Sequence, residues 1–267
     1  MAKPKHPPDQ PMTLGNMRRL GVHWLVACGL GVGLALNSVE AGQLDPDVCS
    51  RPIDDLTSGF LASAALPGGQ PVDALPRMAR WERRKAVIGI FRDDSSPPPS
   101  NPLQRNVAVL KAMAVGTGPS WPFRFVTNLR DPGTDIELTF ISRAAKEKLS
   151  LTLRDAVPSA THGGCRTYLK LIESDEVIGI ITKSMIVVND DVSDSELTEC
   201  TSVSLVHSIG LIGWQKVANE SGGIANYIEA AIFASTLYDM PAKSEATDVR
   251  RQLELARGLT CNARKLR

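Results

Sequence analysis

The hydrophobic positions from residue 81 onward change repeatedly between a strand-like period of two and a helix-like period of 3.6. Five segments have the apolar pattern of strands: residues 85–91, 123–127, 135–140, 165–172 and 177–188. Five others have helical spacing with capping or breaking residues at their ends: residues 103–115, 143–156, 193–211, 225–241 and 244–259. This mixture predicts one α+β domain over residues 81–267, and the nearly all-apolar segment 177–188 belongs near the centre of its sheet.

Residues 42–80 show no sustained period and are rich in glycine, proline and aspartate. They predict an extended N-terminal arm, with a short helix near residues 56–65. The run DDSSPPPSNP at residues 93–102 is incompatible with a regular element. We expect it to be a surface loop, because a predicted strand and a predicted helix flank it closely.

The N-terminal segment has the parts of a secretory signal peptide in the right order. Arg18 and Arg19 precede an apolar run over residues 20–36, and the VEA at residues 39–41 places small residues at the cleavage spacing. We therefore predict a signal peptide over residues 1–41 and a periplasmic or secreted mature protein.

Two alternatives concern how this leader begins and how it is processed. Met17 is an alternative start, because a complete signal follows it. The LVAC at residues 25–28 matches a lipobox, which would make the protein a lipoprotein anchored at Cys28. The apolar run is shorter than 18 residues, so we expect no permanent membrane span after signal cleavage.

Charge and aromatic content exclude one class of partner. Thirty basic residues balance 29 acidic ones, and the sequence has no basic stripe. Aromatic residues make up only 5% of the chain. We therefore expect no binding to nucleic acid, which needs a basic face and often stacking side chains.

Signal cleavage would leave an even number of cysteines, as is typical of a disulfide-bonded exported protein. Four cysteines allow three connectivities, and we favour Cys165–Cys200 together with Cys49–Cys261. The first pair would tie a predicted strand to the start of a predicted helix, and the second would join the two ends of the mature chain. Catalysis by a cysteine–histidine pair is disfavoured, because an oxidising compartment pairs the thiols.

Three short motifs resemble those of a bacterial family of exported proteins known as domain of unknown function 2927. CTSVSLVHSIGL at residues 200–211 resembles C-L-x-E-E-L-x-Q-A-L-G-L, and LYDMP at residues 237–241 resembles a helix end with L-Y-D-P. Trp81-Glu82 before a strand is the third. The resemblance covers roughly residues 80–257. It implies a zincin-like mixed sheet packed on a central motif helix, with further C-terminal helices, because that family looks like degenerate zincin metallopeptidases.

The zincin motif helix carries two histidines four residues apart, which bind one zinc ion, and a glutamate that polarises the bound water. At the equivalent positions this chain has Val203 for the first ligand, Ser204 for the base and His207 for the second ligand. A third ligand in an extended motif would fall at Gly213, which has no side chain. A catalytic zinc needs three protein ligands, and His162 and Glu229 are the remaining low-probability candidates beside His207.

We therefore assign no catalytic residue and no cofactor, with zinc as the alternative. Ser204 with His207 lacks the exposed turn that activates a nucleophilic serine. The first hypothesis is a non-catalytic, zincin-like binding or assembly module of the cell envelope with an unknown protein partner. The alternatives are a divergent zinc-dependent metallohydrolase or peptidase using His207 with His162 or Glu229, and a structural envelope spacer built around the arm at residues 42–80. Candidate binding surfaces are the loops at 93–102, around His162, and at 219–223.

Overall fold

A mixed sheet lies at the centre of the fold, in a computed structural model that describes residues 46–69, 71–72, 74–92, 102–115, 121–127, 134–153, 158–172, 175–215 and 227–265. Within these ranges the sheet has seven strands: β1 Met78–Arg80, β2 Lys85–Arg92, β3 Arg124–Thr127, β4 Ile136–Ile141, β5 Ser159–His162, β6 Cys165–Ile172 and β7 Ile178–Asn189. The same ranges contain seven helices: α1 Pro46–Ser50, α2 Ile53–Ala64, α3 Pro102–Val115, α4 Arg143–Leu153, α5 Asp194–Ser208, α6 Tyr227–Asp239 and α7 Ala246–Lys265. The α+β class predicted from the sequence is confirmed.

The predicted signal peptide, its alternative start at Met17, Cys28, and the predicted loop at residues 219–223 lie outside the described residues. So do residues 93–101 of the predicted proline-rich loop. Within the described ranges no helix is both long enough and apolar enough to cross a membrane.

The strands run in the order β3-β2-β4-β7-β6-β5. The first four are parallel, and β6 and β5 are antiparallel additions. The strand β1 pairs with residues 178–180 of β7, while β4 pairs with residues 184–189. Because β6 occupies the other edge of β7, β1 and β4 lie end to end along one edge. The central position predicted for the apolar segment 177–188 is confirmed.

The described part of the predicted arm belongs to the core, which corrects the expectation of an extended segment. The helix α2 buries Leu56 and Phe60 completely, and Phe60 meets Phe233 of α6 edge to face. Further along, Leu75 and Met78 are also fully buried, and Met78 begins β1. The glycines and prolines of this segment therefore separate short elements, and the segment from residue 46 is part of the same folded unit as the rest of the described chain.

The helix α3 does not bury positions 107 and 110, which belong to the apolar spacing that predicts a helix over residues 103–115. Ala108, Val109 and Ala112 are buried, whereas Val107 and Leu110 are largely exposed. The sequence of α3 is apolar on both faces, so the spacing predicts a helix without indicating which face packs inward.

Candidate functional site at the buried helix α5

The helix α5 carries the motif that resembles the zincin helix, and its second half is enclosed by the fold. The hydroxyl of Ser193 caps its first turn by accepting a hydrogen bond from the backbone N–H of Glu196. From Cys200 to Ser208 every side chain is buried. The helix packs against β5, β6 and β7 of the sheet on one side and against α3 on another. The second half of α5 therefore presents no side chain to solvent, whereas most side chains of residues 194–199 are exposed.

Two glycines end α5 because neighbouring backbone leaves no room for a side chain. Gly210 has φ +106°, and a Cβ added there would lie 1.9 Å from the carbonyl oxygen of Ala79. A Cβ at Gly213 would lie 2.2 Å from the carbonyl oxygen of Ala62. The helix predicted over residues 193–211 ends at Ser208, just before Gly210. A third metal ligand at position 213 is sterically excluded in this arrangement.

The three motifs behind the family resemblance meet at the end of α5. The indole Nε1 of Trp81 donates to the carbonyl of Ser208 at 2.8 Å. The hydroxyl of Tyr238 donates to the carbonyl of Ile209 at 3.1 Å, and it accepts from the backbone N–H of Trp81 at 3.4 Å. These contacts satisfy carbonyls that the helix leaves unpaired at its last turn, so the conspicuous residues of all three motifs have a structural role.

Arg80 extends this junction to the end of α6. Its guanidinium donates to the carbonyls of Leu237 and Met240 at 2.7 and 2.6 Å. Arg84 forms an ion pair with Asp239 just beyond. A cation at a helix C-terminus is favoured by the helix dipole, so Arg80 and Arg84 fix α6 against the strand β1 and the turn after it.

A seam of hydroxyl groups joins α5 to the sheet. The hydroxyl of Ser184 on β7 donates to that of Ser208 at 2.9 Å, and Ser208 in turn donates to the carbonyl of Ser204 at 2.8 Å. The hydroxyl of Ser204 itself is buried without a hydrogen-bond partner among the described residues. Ser204, which the resemblance aligns with the zincin base, therefore lies within a packed layer and has no access to solvent.

His207 is completely buried, and one of its ring nitrogens has a definite partner. Its Nε2 lies 2.8 Å from the carbonyl oxygen of Trp214. Because a carbonyl only accepts, Nε2 carries the proton and Nδ1 carries the lone pair. That Nδ1 has no partner in the described part of the chain. Burial lowers the pKa of His207 to about 4, the hydrogen bond to Trp214 opposes this shift, and the charge of His162 adds to it.

His162, the second candidate ligand, lies at the end of β5 and has a different partner. Its Nε2 is 3.4 Å from Oε1 of Glu199 on α5. The turn that follows is held tightly, since Gly163 has φ +52° and a Cβ on Gly164 would overlap Val192 at 2.1 Å. Lys146 also donates to the carbonyl of Gly164 at 2.7 Å. His162 is thus fixed at the surface beside Glu199.

Glu229, the third candidate, forms an ion pair with Arg51. His207, His162 and Glu229 are therefore each engaged with a different partner. Within the ranges that the structure covers, no group of three histidine, cysteine, aspartate or glutamate side chains is placed to hold a metal ion.

The sequence did not single out Trp214, whose carbonyl is the partner of His207, or the neighbouring Tyr227. The rings of Trp214 and Tyr227 lie 5.6 Å apart. The hydroxyl of Tyr227 is hydrogen-bonded to Ser202, and burial raises its pKa to about 12. The only feature of the sequence that could have indicated a contact with His207 is that Trp214 follows it by seven residues, directly after Gly213.

The four cysteines of the predicted mature chain form two disulfides with the connectivity that the sequence favours. Cys165 and Cys200 tie β6 to α5, with their Cα atoms 5.4 Å apart. Cys49 and Cys261 tie α1 to α7, with their Cα atoms 6.0 Å apart. Such bonds are typical of proteins that fold outside the cytoplasm.

No protein-family model matches the chain, and no curated protein matches it. The resemblance to the family of unknown function therefore stays a prediction that depends on the three motifs.

Proposed function

We propose that this protein is a non-catalytic, zincin-like binding or assembly module that acts in the cell envelope after export. The observation that carries the proposal is the separation of the three candidate zinc donors, each of which has its own partner. His207 bonds to Trp214, His162 lies beside Glu199, and Glu229 pairs with Arg51. A catalytic zinc requires three ligands converging on one point.

The binding surface that we propose is the turn between β5 and β6, which carries His162. Thr161 and Gly163 are exposed there, and Glu199 is half exposed beside them. The disulfide from Cys165 and the hydrogen bond from Lys146 hold the turn in place before any partner arrives. A surface held in this way binds without a large cost of ordering.

Site-specific photo-crosslinking in cells tests this surface. A photoreactive residue replaces Thr161, and the matched control replaces Thr152, an exposed threonine on α4. We expect a discrete heavier adduct only from position 161, and its loss when Glu199→Ala is combined with the photoreactive residue. Adducts of equal yield from both positions, or none from position 161, would contradict the proposal.

The competing function is a divergent metallohydrolase, and the observation in its favour is the Nδ1 of His207, which has no hydrogen-bond partner among the described residues. That nitrogen is one donor with an available lone pair. Zinc bound stoichiometrically to the purified protein and lost in His207→Gln, together with chelator-sensitive peptidase activity, would establish this function and remove the first.

A further inference from the structure

The outer face of the hairpin formed by β5 and β6 carries an arginine that has only neutral partners. Arg166 lies directly opposite Thr161 in the register of the two strands, so the two side chains project from the same face of the sheet. The Nη2 of Arg166 donates to the hydroxyl of Ser159 at 3.2 Å, and the guanidinium lies 5.5 Å from the centre of the Tyr168 ring. Its Nε is buried without a partner among the described residues. Arg166 is therefore a half-buried cation whose partners in the described part of the chain include no carboxylate.

The helix α4 packs on this face against Tyr168 and brings a second positive charge to it. Lys146 of α4 is half-buried, and its Nζ donates to the carbonyl of Gly164 at 2.7 Å. Burial lowers the pKa of Lys146, and the charges of Arg166 and Arg143 lower it further. The ammonium and the guanidinium are thus close enough to repel each other. We refer to Lys146 and Arg166 as the cation pair.

Two acidic side chains act on Lys146 without pairing with it. Asp191 forms its ion pair with Arg143, at 3.1 Å. The charges of Asp191 and Glu196 raise the pKa of Lys146, but neither carboxylate forms an ion pair with it among the described residues. Half-buried cations with neutral partners have lost water without gaining a counter-charge in contact, so an anion from outside the chain is attracted to them.

We propose that the cation pair binds a carboxylate side chain of the partner protein at the β5–β6 turn. This inference rests on the proposed function and names the chemistry of its partner. Lysine and arginine bind carboxylates through charge-assisted hydrogen bonds, and the exposed hydroxyl of Thr161, across from Arg166, is a further donor on this face. A protruding carboxylate reaches half-buried cations more closely than the phosphates of a flat bilayer do.

Binding of a labelled hexaglutamate peptide to the purified mature protein tests this chemistry before the partner is identified. Fluorescence anisotropy measures the affinity, and a hexaserine peptide with the same label is the neutral probe. We expect hexaglutamate to bind, to bind more weakly in high salt, and hexaserine not to bind. The double variant Lys146→Gln/Arg166→Gln should weaken binding by about tenfold or more, because charge-assisted hydrogen bonds to the carboxylate are lost.

The matched control is Lys148→Gln/Lys170→Gln, which removes two exposed positive charges from the same two elements, α4 and β6. It should bind hexaglutamate as the unaltered protein does. Arg166→Gln and Arg166→Lys both keep the bond from Lys146 to Gly164, so they separate loss of charge from loosening of the turn. The first should weaken binding and the second should retain most of it. Thermal unfolding checks that each variant is folded.

The crosslinking from position 161 in cells extends the test to the partner itself. We expect the adduct to be lost in Lys146→Gln/Arg166→Gln and kept in Lys148→Gln/Lys170→Gln. An adduct that survives in the cation-pair variant would overturn this inference and leave the proposed partner surface intact. No adduct from the unaltered surface would overturn the proposed function, so the two failures are distinguishable.

Three outcomes with the peptides would also overturn the inference. One is equal binding of hexaglutamate and hexaserine, and another is an equal loss in both double variants. The third is tighter binding of inorganic phosphate, or of phosphatidylglycerol vesicles, than of hexaglutamate. That result would assign the cation pair to a free anion or to a membrane surface.

Discussion

At the scale of single residues, His207 is the side chain whose chemistry is most constrained. Its imidazole is neutral in the folded protein, because burial makes the charged form costly and only the Trp214 carbonyl opposes this cost. In the unfolded chain its pKa is near 6.5, so the unfolded state takes up the proton first as the pH falls. Stability is therefore unaffected above pH 6.5, decreases as the pH falls below that value, and levels off below about pH 4.

We predict that His207 makes the protein less stable in acid by about 3 kcal/mol between pH 6.5 and 4, since one pKa unit corresponds to about 1.4 kcal/mol. In His207→Gln this contribution is absent, while the amide keeps a donor for Trp214. Urea unfolding of both proteins at pH 7 and pH 4.5 measures the difference. His162→Gln is the control and should keep the acid sensitivity; parallel pH profiles for all three proteins would contradict the assignment.

Gly210 and Gly213 are two further single residues whose identity the fold restricts, because backbone lies close to each. We predict that Gly210→Ala and Gly213→Ala each destabilise the fold by more than about 2 kcal/mol, because the added Cβ overlaps a carbonyl oxygen of the neighbouring backbone. Gly258→Ala is the control within α7, where nothing lies within 4 Å, and it should stabilise by about 0.5–1 kcal/mol. Chemical denaturation measures the free energy of unfolding of the three variants. Equal values would mean that the backbone around Gly210 and Gly213 shifts easily to accept a Cβ.

At the scale of elements, the apolar patterns correctly predicted whether the long segments form helices or strands. The nearly all-apolar sequence of β7 favours a position with neighbouring strands on both edges, and the strand lies centrally in the sheet. The strands β1 and β5 were missed, since β1 has only three residues and the sequence of β5, SATH, contains a single apolar residue. The role of the segment before residue 81 was also missed, because its Gly and Pro residues obscure the four-residue spacing of Leu56 and Phe60.

The candidate site was predictable only in its residue types. The sequence identified His207 on a helix that ends at Gly210, and both features are found in the structure. The partners of His207, His162 and Glu229 could not be predicted, because Trp214, Glu199 and Arg51 reach them through tertiary packing and show no motif spacing.

We predict that Phe60→Ala destabilises the protein by about 3–5 kcal/mol, because it empties a fully buried position against Phe233. Leu151→Ala on the exposed face of α4 is the control and should change stability by less than about 0.5 kcal/mol. Thermal and urea unfolding measure both. A small effect at Phe60 would restore the hypothesis that the N-terminal segment is a separable arm of a spacer protein.

At the scale of the whole molecule, the two disulfides differ in access to solvent. Cys165 and Cys200 are buried between β6 and α5, whereas Cys49 and Cys261 are only partly buried at the outside of the fold. Reduction requires a thiolate to reach a sulfur atom, so exposure sets the order in which native disulfides react.

We predict that a mild thiol reductant opens Cys49–Cys261 in the native protein well before Cys165–Cys200. Timed alkylation followed by peptide mapping measures the order. In a denaturant that unfolds the chain, both bonds should react at similar rates. Simultaneous reduction under native conditions would mean that the buried bond is exposed by a frequent opening of α5 from the sheet.

The bond between Cys49 and Cys261 also changes what a cut in the chain does. With sequence positions 212 residues apart linked covalently, the backbone between them is a closed ring. A single proteolytic nick anywhere in that ring leaves every element attached to the same molecule. Outside the cytoplasm proteases are common, and a cleaved protein is not replaced by synthesis in the same compartment. A nicked copy there would remain one covalently joined molecule until a second cut or a reductant releases a fragment.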